Sequence, residues 1–347
     1  MKTKHRLSTN IKPIQYHIKI QPNLVDFNFV GSEVILIEIS KATKQLVLHA
    51  AEIKVNTAEL ISGNKAIIPK ISYQSKAETV TLNFPKLFSG KVKLKLHFSG
   101  IINDQLRGLY RSRYLHNGQT KHLAVSQFEA TDARRMIPCF DEPAHKSKFI
   151  LEVVVPKDLQ TVSNTVPDKI TPHLPGYKIV RFKPTPNMSS YLLALIVGEL
   201  EHLQGSSKRK VKIRVHTTPG KKAQAKFALE FTKQALDYLE NYFGIKYPLP
   251  VLDLLAIPDF SAGAMENWGA ITFRETLLLV DEDNSPFSQK QRVAEVIAHE
   301  LVHQWFGNLV TMEWWTHLWL NESFATYMAY HVVDAIYPEW NYWTKFA

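Results

Sequence analysis

The amino-acid sequence predicts an α+β protein of two domains, with a β-rich first domain over residues 1–203 and an α/β second domain over residues 204–347. Short alternating apolar runs separated by turn residues fill the first 200 residues, where no long helical pattern occurs. A polar stretch, EHLQGSSKRK, follows at residues 201–210 and is the best candidate for a boundary. Helical periodicity begins beyond it, and 347 residues are enough for two domains.

The first domain is predicted to be an antiparallel β-sandwich or saddle. Tyr16, Ile18 and Ile20 alternate with polar positions, which is the period of a strand that buries one face. Turn signals such as Leu174-Pro175-Gly176 separate the runs, as expected for strands joined by short connections. Further strands are predicted at residues 34–39, 92–98, 149–155, 177–182 and 191–197.

The second domain is predicted to combine strands with helices. After one strand, VKIRV, an apolar stripe predicts a helix from about Lys221 to Phe243, with Gly244 where a C-terminal cap is expected. Strands are expected at residues 252–257 and 270–273. A further helix follows, for which Ser285 with Pro286, or Ser288 with Gln291, supplies the N-cap signal.

The segment VIAHELVHQWFG, residues 296–307, predicts a buried helix that binds a metal ion. His299 and His303 are four residues apart and therefore share one helix face. Glu300 is displaced by about 100° around the axis, which places it beside a metal-bound water rather than in the ligand set. The alternative is a core helix without a metal, in which a buried glutamate would need other partners.

A third ligand is expected because catalytic zinc usually takes three protein ligands and keeps one position for water. Glu322 follows His303 after eighteen intervening residues, near the start of a second predicted helix in WLNESFATYMAYHVVDAIYP. A carboxylate at that position can close the site. The second domain is therefore predicted to be an α/β metallopeptidase core.

Composition limits the setting. The chain is 45% hydrophobic and 21% charged, as in soluble globular proteins, and we expect no membrane span. The first twenty residues lack the continuous apolar core of a secretory signal. The single cysteine, Cys139, excludes an internal disulfide. Together these features predict a cytoplasmic location.

Charge is distributed unevenly along the chain. The net charge is +10, yet residues 251–347 contain thirteen acidic and only four basic residues. Basic residues of the first part alternate with apolar ones, as in KVKLKLHF from Lys91, which is typical of a solvated sheet face. We therefore expect no nucleic-acid partner, and the acidic second part favours a substrate with a cationic group.

Two further segments stand out. In SAGAMENWGA, residues 261–270, small residues at Gly263 and Ala264 permit close approach of another backbone, so an exposed strand edge here could pair with an extended peptide. The alternative is an ordinary tight turn with a solvated glutamate. SQFEATDARRMIPCFDEP, residues 126–143, is dense in charge, and its composition predicts a surface loop.

Together these segments resemble the aminopeptidase N family of zinc peptidases. The resemblance is carried by HELVH with Glu322, by GAMEN at residues 263–267 and by QFEATDARRMIPCFDEP, and it extends to PIQYHIKI and VLHA in the first part. It implies a saddle-like β-domain followed by a thermolysin-like catalytic domain with one zinc ion. The implied activity is removal of amino acids, one at a time, from peptides with a free N-terminus.

The resemblance also implies roles for single residues. His299, His303 and Glu322 match the zinc ligands, and Glu300 matches the general base that takes a proton from zinc-bound water. Glu129 and Glu266 match the positions that bind the substrate's free α-amino group. The other residues implied in substrate binding are Gln127, Gly263, Ala264, Met265 and Asn267.

The sequence departs from the family pattern in three places. Ser323 stands where the family has glycine, and His317 stands where aspartate is expected, an exchange that alters support for the ligands. The family's tyrosine roughly sixty residues beyond the third ligand, which stabilises the tetrahedral intermediate, would lie past Ala347, as would its helical C-terminal domain. We therefore expect a truncated catalytic domain whose exposed apolar surface promotes association.

Two alternatives remain open on these residues. A shortened relative without the tyrosine would bind peptides with weak or no cleavage. Another zinc hydrolase of the same family, such as its epoxide-opening branch, is also possible, although Glu129 argues against that branch.

Overall fold

The computed structural model describes residues 6–63 and 65–346. They divide into two compact units, of which the first comprises residues 6–63, 65–111, 124–161 and 167–196. The second comprises residues 112–123, 162–166 and 197–346. The predicted class, a mostly β first part followed by a part with helices, is confirmed. The predicted boundary between residues 203 and 204 stays a prediction.

The elements of the described residues are numbered in chain order. The strands are β1 (Ile11–Asn23), β2 (Asn28–His49), β3 (Lys54–Ser62), β4 (Lys65–Ile67), β5 (Lys70–Gln74), β6 (Thr79–Ile101), β7 (Gly108–His116), β8 (Gln119–Gln127), β9 (Lys148–Pro156), β10 (Gln160–Ser163), β11 (Pro167–Pro172), β12 (Tyr177–Phe182), β13 (Leu195–Gly198), β14 (Glu201–Ser206), β15 (Lys212–Thr217), β16 (Val251–Ile257), β17 (Ala264–Met265) and β18 (Ala270–Arg274). The α-helices are α1 (Lys226–Phe243), α2 (Phe287–His303) and α3 (Trp319–Ile336).

A nine-stranded sheet forms the centre of the first unit, in the order β11-β12-β9-β1-β2-β6-β3-β4, with β5 paired to β6. Its pairs run antiparallel except for β1 with β9, which are parallel. The predicted alternation holds in β6, where Val92, Leu94 and Leu96 are buried and the lysines between them are exposed. A four-stranded sheet has the order β10-β13-β8-β7.

A five-stranded sheet organises the second unit, in the order β14-β15-β16-β18-β17. Strands β15, β16 and β18 are mutually parallel, and β14 and β17 pair antiparallel at the two edges. Helix α1 packs on β14 and β15, and α1, α2 and α3 all contact one another. Gly244 takes a left-handed conformation (φ 65°) at the end of α1, as its predicted capping role requires. Among the described helices, none has the length and apolarity needed to cross a membrane.

Segment 126–143 is not a surface loop, so that prediction was wrong. Arg134 and Asp141 are 8% and 2% exposed, and Arg134 Nε donates to Asp141 Oδ2 over 2.9 Å. Arg135, also 8% exposed, pairs with Asp132 and with Glu52 at 2.6 Å each. Composition was misleading because these charges are paired with one another, which offsets the cost of removing them from water.

Candidate metal site

Helix α2 carries three of the predicted site residues, and its last ten positions are largely buried. Its N-cap residue is Pro286, in an extended conformation (φ −65°, ψ 153°), so neither predicted serine caps the helix. Ser285 instead belongs to the preceding turn, where its Oγ accepts a hydrogen bond from the backbone N–H of Asp281 over 3.0 Å. The hydroxyl of Ser285 therefore stabilises the turn before α2 rather than the first turn of the helix.

The structure brings His299, His303 and Glu322 together. His303 Nε2 lies 3.0 Å from His299 Nε2 and 3.7 Å from Glu322 Oε2, and His299 Nε2 lies 3.3 Å from the same oxygen. Glu322 occupies the first turn of α3, the second predicted helix. These three atoms form a compact group of nitrogen and oxygen donors of the kind that zinc prefers.

The outer nitrogens of both imidazoles have partners that orient the rings. His303 Nδ1 lies 2.9 Å from the carbonyl oxygen of Phe306, which can only accept, so Nδ1 carries a proton and donates. Thr326 Oγ1 lies 3.4 Å from His299 Nδ1. In the neutral form of His303, Nε2 therefore carries a lone pair that faces His299 Nε2 and Glu322 Oε2. This is the tautomer that a metal ligand needs.

The electrostatics of the group favour a cation. Burial by itself would lower the pKa of His303, but the Glu266 carboxylate, the contact with Glu322 and the charge of Glu300 raise it to about 10. Burial opposes ionisation of Glu322, yet contacts with His299 and His303 hold its pKa well below the ordinary value. Burial lowers the pKa of His299. Three carboxylates therefore surround a position where positive charge is stabilised.

Glu300 and Glu266 are the other carboxylates of this site. Glu300 follows His299 on α2 and is 6% exposed. Glu266 is 3% exposed, and one of its oxygens lies within 4.8 Å of a carboxylate oxygen of Glu322. Its Oε1 is buried without a hydrogen-bond partner among residues 6–63 and 65–346. The alternative of a solvated glutamate in segment 261–270 was therefore wrong.

The predicted strand edge in this segment is present. Strand β17 is the last strand of the five-stranded sheet, where Ala264 pairs with Phe273 and Met265 with Thr272. A side chain added at Gly263 would meet only Leu277 Cδ1, at 3.3 Å, apart from its chain neighbours in the described residues. Met265 and Asn267 are 1% exposed. Strand β17 thus forms one edge of the sheet, and the space beside Gly263 is bounded by Leu277.

Gln127 and Glu129 belong to the first compact unit and are described with it. Gln127 is the last residue of β8 and is 6% exposed, and Glu129, two residues further, is half-buried. The metal-site residues all belong to the second unit.

The two sequence departures lie on the surface near Glu322. Ser323 is an exposed residue of α3, and His317 is exposed at the end of a short 3₁₀ turn, Trp315–His317. Glu322 contacts both histidines with these residues present.

Sequence reasoning missed two residues that structure places beside this site. Gln304 and Asn308 are completely buried, and both donate side-chain hydrogen bonds to the backbone carbonyl of Glu266. The only signal for them is a pair of amide residues in an otherwise apolar stretch, QWFGN. That pattern does not identify the acceptor.

Comparisons with known proteins agree along most of the chain. The Peptidase M1 N-terminal domain matches residues 12–192, and the Peptidase family M1 domain matches residues 227–347. Aminopeptidase M1-B of Oryza sativa subsp. japonica is 47% identical over 98% of this chain and 39% of its own length, and Aminopeptidase M1 of Arabidopsis thaliana is 46% identical over the same shares. Puromycin-sensitive aminopeptidase of Caenorhabditis elegans is 45% identical over 98% of this chain and 36% of its own. This chain thus spans well under half the length of these relatives, and it belongs to peptidase family M1.

Proposed function

We propose that this chain carries the metal site and general base of a zinc-dependent aminopeptidase, which removes amino acids one at a time from peptide N-termini. The observation that carries the proposal is the convergence of His299 Nε2, His303 Nε2 and Glu322 Oε2 within 3.7 Å. Relatives that bear the name aminopeptidase support the reaction class.

His299, His303 and Glu322 would hold one zinc ion. Two imidazole nitrogens and one carboxylate oxygen match a catalytic zinc site, in which three protein ligands leave a position for water. When bound, zinc supplies a Lewis acid that polarises a peptide carbonyl and lowers the pKa of a coordinated water.

Glu300 would act as the general base. It lies next to a ligand on α2, and its Oε2 atom is buried. A carboxylate in this position accepts a proton from the attacking water and then delivers it to the departing amine. The helix geometry directs Glu300 away from the ligand set, so it keeps this role rather than binding the metal.

Glu266 would bind the free α-amino group of the substrate. Its buried Oε1 has no hydrogen-bond partner within residues 6–63 and 65–346, and a substrate ammonium supplies both the hydrogen bond and the charge. An acetylated amine would leave this carboxylate unpaired in a buried position, which costs several kcal/mol. Gln127 and Glu129 are proposed to take part in the same recognition because they match the family positions.

The edge of β17 would hold the substrate backbone. An extended peptide can add to a free strand edge through main-chain hydrogen bonds. Gly263 and Ala264 would contribute backbone contacts there, and the buried Met265 and Asn267 would shape the segment. A cytoplasmic location stays a prediction that rests on composition.

The proposal is tested with two chromogenic alanine derivatives, one with a free amine and one N-acetylated. We expect cleavage of the free-amine compound alone, loss of cleavage on chelation and recovery with zinc. Equal cleavage of both compounds, or cleavage that survives complete metal removal, would refute the proposed function.

A further inference from the structure

Two buried side-chain amides converge on one backbone oxygen, the carbonyl of Glu266. Asn308 Nδ2 donates to it over 2.9 Å and Gln304 Nε2 over 3.2 Å, and neither side chain is exposed to solvent. A backbone carbonyl has two lone pairs, so both donors can be accommodated at once. The Oε1 atom of Gln304 accepts from the backbone N–H of Gly269 at 3.5 Å, which is consistent with this orientation of the amide.

The same two residues are joined to the backbone of the metal helix. Asn308 donates its backbone N–H to the carbonyl of His303 over 3.0 Å, and Gln304 Nε2 also donates to the carbonyl of Glu300 over 3.1 Å. Each amide residue therefore connects Glu266 to a residue proposed to bind metal or move a proton. Gln304 links the carbonyls of Glu266 and Glu300 through its side chain, and Asn308 links those of Glu266 and His303 through its side chain and its backbone N–H.

Such a connection is needed because the sheet does not extend to Glu266. The ladder of β17 with β18 comprises Ala264 and Met265 only. The next residue, Glu266, lies just outside the ladder, and the chain then turns through a hydrogen bond from Ala270 N to Asn267 O. Holding the Glu266 carbonyl restricts the ψ angle of this residue, and the backbone in turn sets the direction of the Cα–Cβ bond from which the carboxylate extends.

We propose that Gln304 and Asn308 are positioning residues that hold the Glu266 carboxylate in register with the metal site and thereby set the preference for substrates with a free amine. This inference rests on the proposed function, in which Glu266 binds the amine. Neither residue touches the substrate in this proposal. We expect them to affect recognition of the amine rather than zinc affinity, because the His303 ring is oriented separately by the Phe306 carbonyl.

The test uses leucine hydroxamic acid and its N-acetyl derivative, which share the zinc-binding group and differ at the amine. Binding of each probe to the zinc-loaded protein is measured by calorimetry. The dissociation constant of the N-acetyl probe divided by that of the free-amine probe is the ratio that reports amine recognition. Zinc affinity is measured separately by competition with a chelating dye. The variants are Gln304→Met, Asn308→Leu and the double variant. The control is Gln291→Met, which removes a buried amide within α2.

We expect the double variant to reduce the preference for the free amine by about tenfold, with smaller losses in the single variants, because a buried carbonyl loses its donors. The zinc affinity of these variants should equal that of the unaltered protein. The Gln291→Met protein should keep the unaltered ratio of dissociation constants. If the double variant does not fold, Asn308→Asp is used instead. This change preserves the shape of the side chain and replaces the amide donor with a carboxylate acceptor, so a loss of preference for the free-amine probe is again expected.

Two results separate the inference from the function on which it rests. If Glu266→Gln lowers the ratio while the folded amide variants leave it unchanged, the positioning role is wrong and the proposed function stands. If Glu266→Gln itself leaves the ratio unchanged, Glu266 is not the amine site and both fail. A loss of affinity for both probes in equal proportion would also overturn the positioning role.

Discussion

The carboxylate Oε2 of Glu322 lies 3.3 Å from Nε2 of His299, although the two residues are on different helices and 23 positions apart. Helices α2 and α3 pack against each other, and His299 and Glu322 form one of the contacts between them. A cation at this point would therefore cross-link the two helices, and its removal would affect stability as well as chemistry.

Zinc is expected to stabilise the chelator-treated protein against thermal unfolding. At a free concentration of a hundred times the dissociation constant, the gain is about 2.7 kcal/mol if the unfolded chain does not bind the ion. His299→Ala and Glu322→Gln should remove most of this gain. Glu339→Gln, which alters an exposed glutamate just after α3, serves as the control. An equal zinc-dependent shift in the Glu322→Gln protein would contradict the assignment of that ligand.

Glu300→Gln is expected to separate metal binding from catalysis. The amide keeps the shape of the side chain but cannot accept a proton, so turnover should fall by about a hundred- to ten-thousand-fold. Zinc affinity should change little, since Glu300 is proposed to act as the base and not as a ligand. Turnover is measured with a free-amine chromogenic substrate and zinc affinity with a competing dye. Normal hydrolysis by this variant would remove Glu300 from the mechanism.

Arg134→Met is expected to destabilise the first unit by about 3–5 kcal/mol, because it leaves the carboxylate of Asp141 buried without its cation. The matched change Lys95→Met removes an exposed pair with Glu59, at 3.5 Å, and should cost no more than about 1 kcal/mol. Chemical denaturation of both variants measures the difference. Similar costs for the two would show that the buried pair contributes no more than a surface one.

His49 is expected to make the protein less stable as the pH falls below about 6.5. Burial, with the charges of Arg134 and His145, lowers the pKa of His49 to about 3, and its Nδ1 accepts the backbone N–H of Asp141 over 3.2 Å. Between the ordinary pKa near 6.5 and this value, the unfolded chain binds a proton that the folded chain does not. Stability therefore rises with pH across this window and is lost as the pH falls through it.

His49→Asn tests this dependence, since the amide oxygen can accept the same hydrogen bond and does not titrate. The difference between the two free energies of unfolding should change by up to about 1.4 kcal/mol per pH unit in the window. His145 has a pKa lowered to about 4 by burial, and it contributes to both proteins. Parallel curves of stability against pH would rule out His49 as the source.

Local sequence pattern was sufficient to predict the two helices that carry the candidate metal-site residues. The i, i+4 spacing of His299 and His303 and the apolar periodicity around Glu322 predicted two helices, and α2 and α3 are present at those positions. A C-terminal cap at Gly244 was also predicted, and the structure has Gly244 in a left-handed conformation at the end of α1. Helix formation and capping depend on residues only a few positions apart in the chain, so the sequence alone is enough to predict these features.

The start of α1 shows where local pattern fails. The apolar stripe predicted a helix from about Lys221, but Lys222–Ala225 form a 3₁₀ turn and the α-helix begins at Lys226. The Glu201 carboxylate accepts the backbone N–H groups of Gly220, Lys221 and Lys222, which holds this entry in a non-helical form. A partner some twenty residues away decided the boundary.

The sequence by itself determined the class of the fold, the two helices α2 and α3 and the set of candidate metal ligands, because periodicity and spacing act over short distances. Tertiary structure alone decided that the charged segment 126–143 is buried and that Glu266 is buried with one oxygen that has no hydrogen-bond partner among the described residues. It also decided that Gln304 and Asn308 donate to the Glu266 carbonyl. Charged and amide side chains are equally compatible with water and with a buried partner. Which of the two they find depends on distant residues that only the folded chain brings to them.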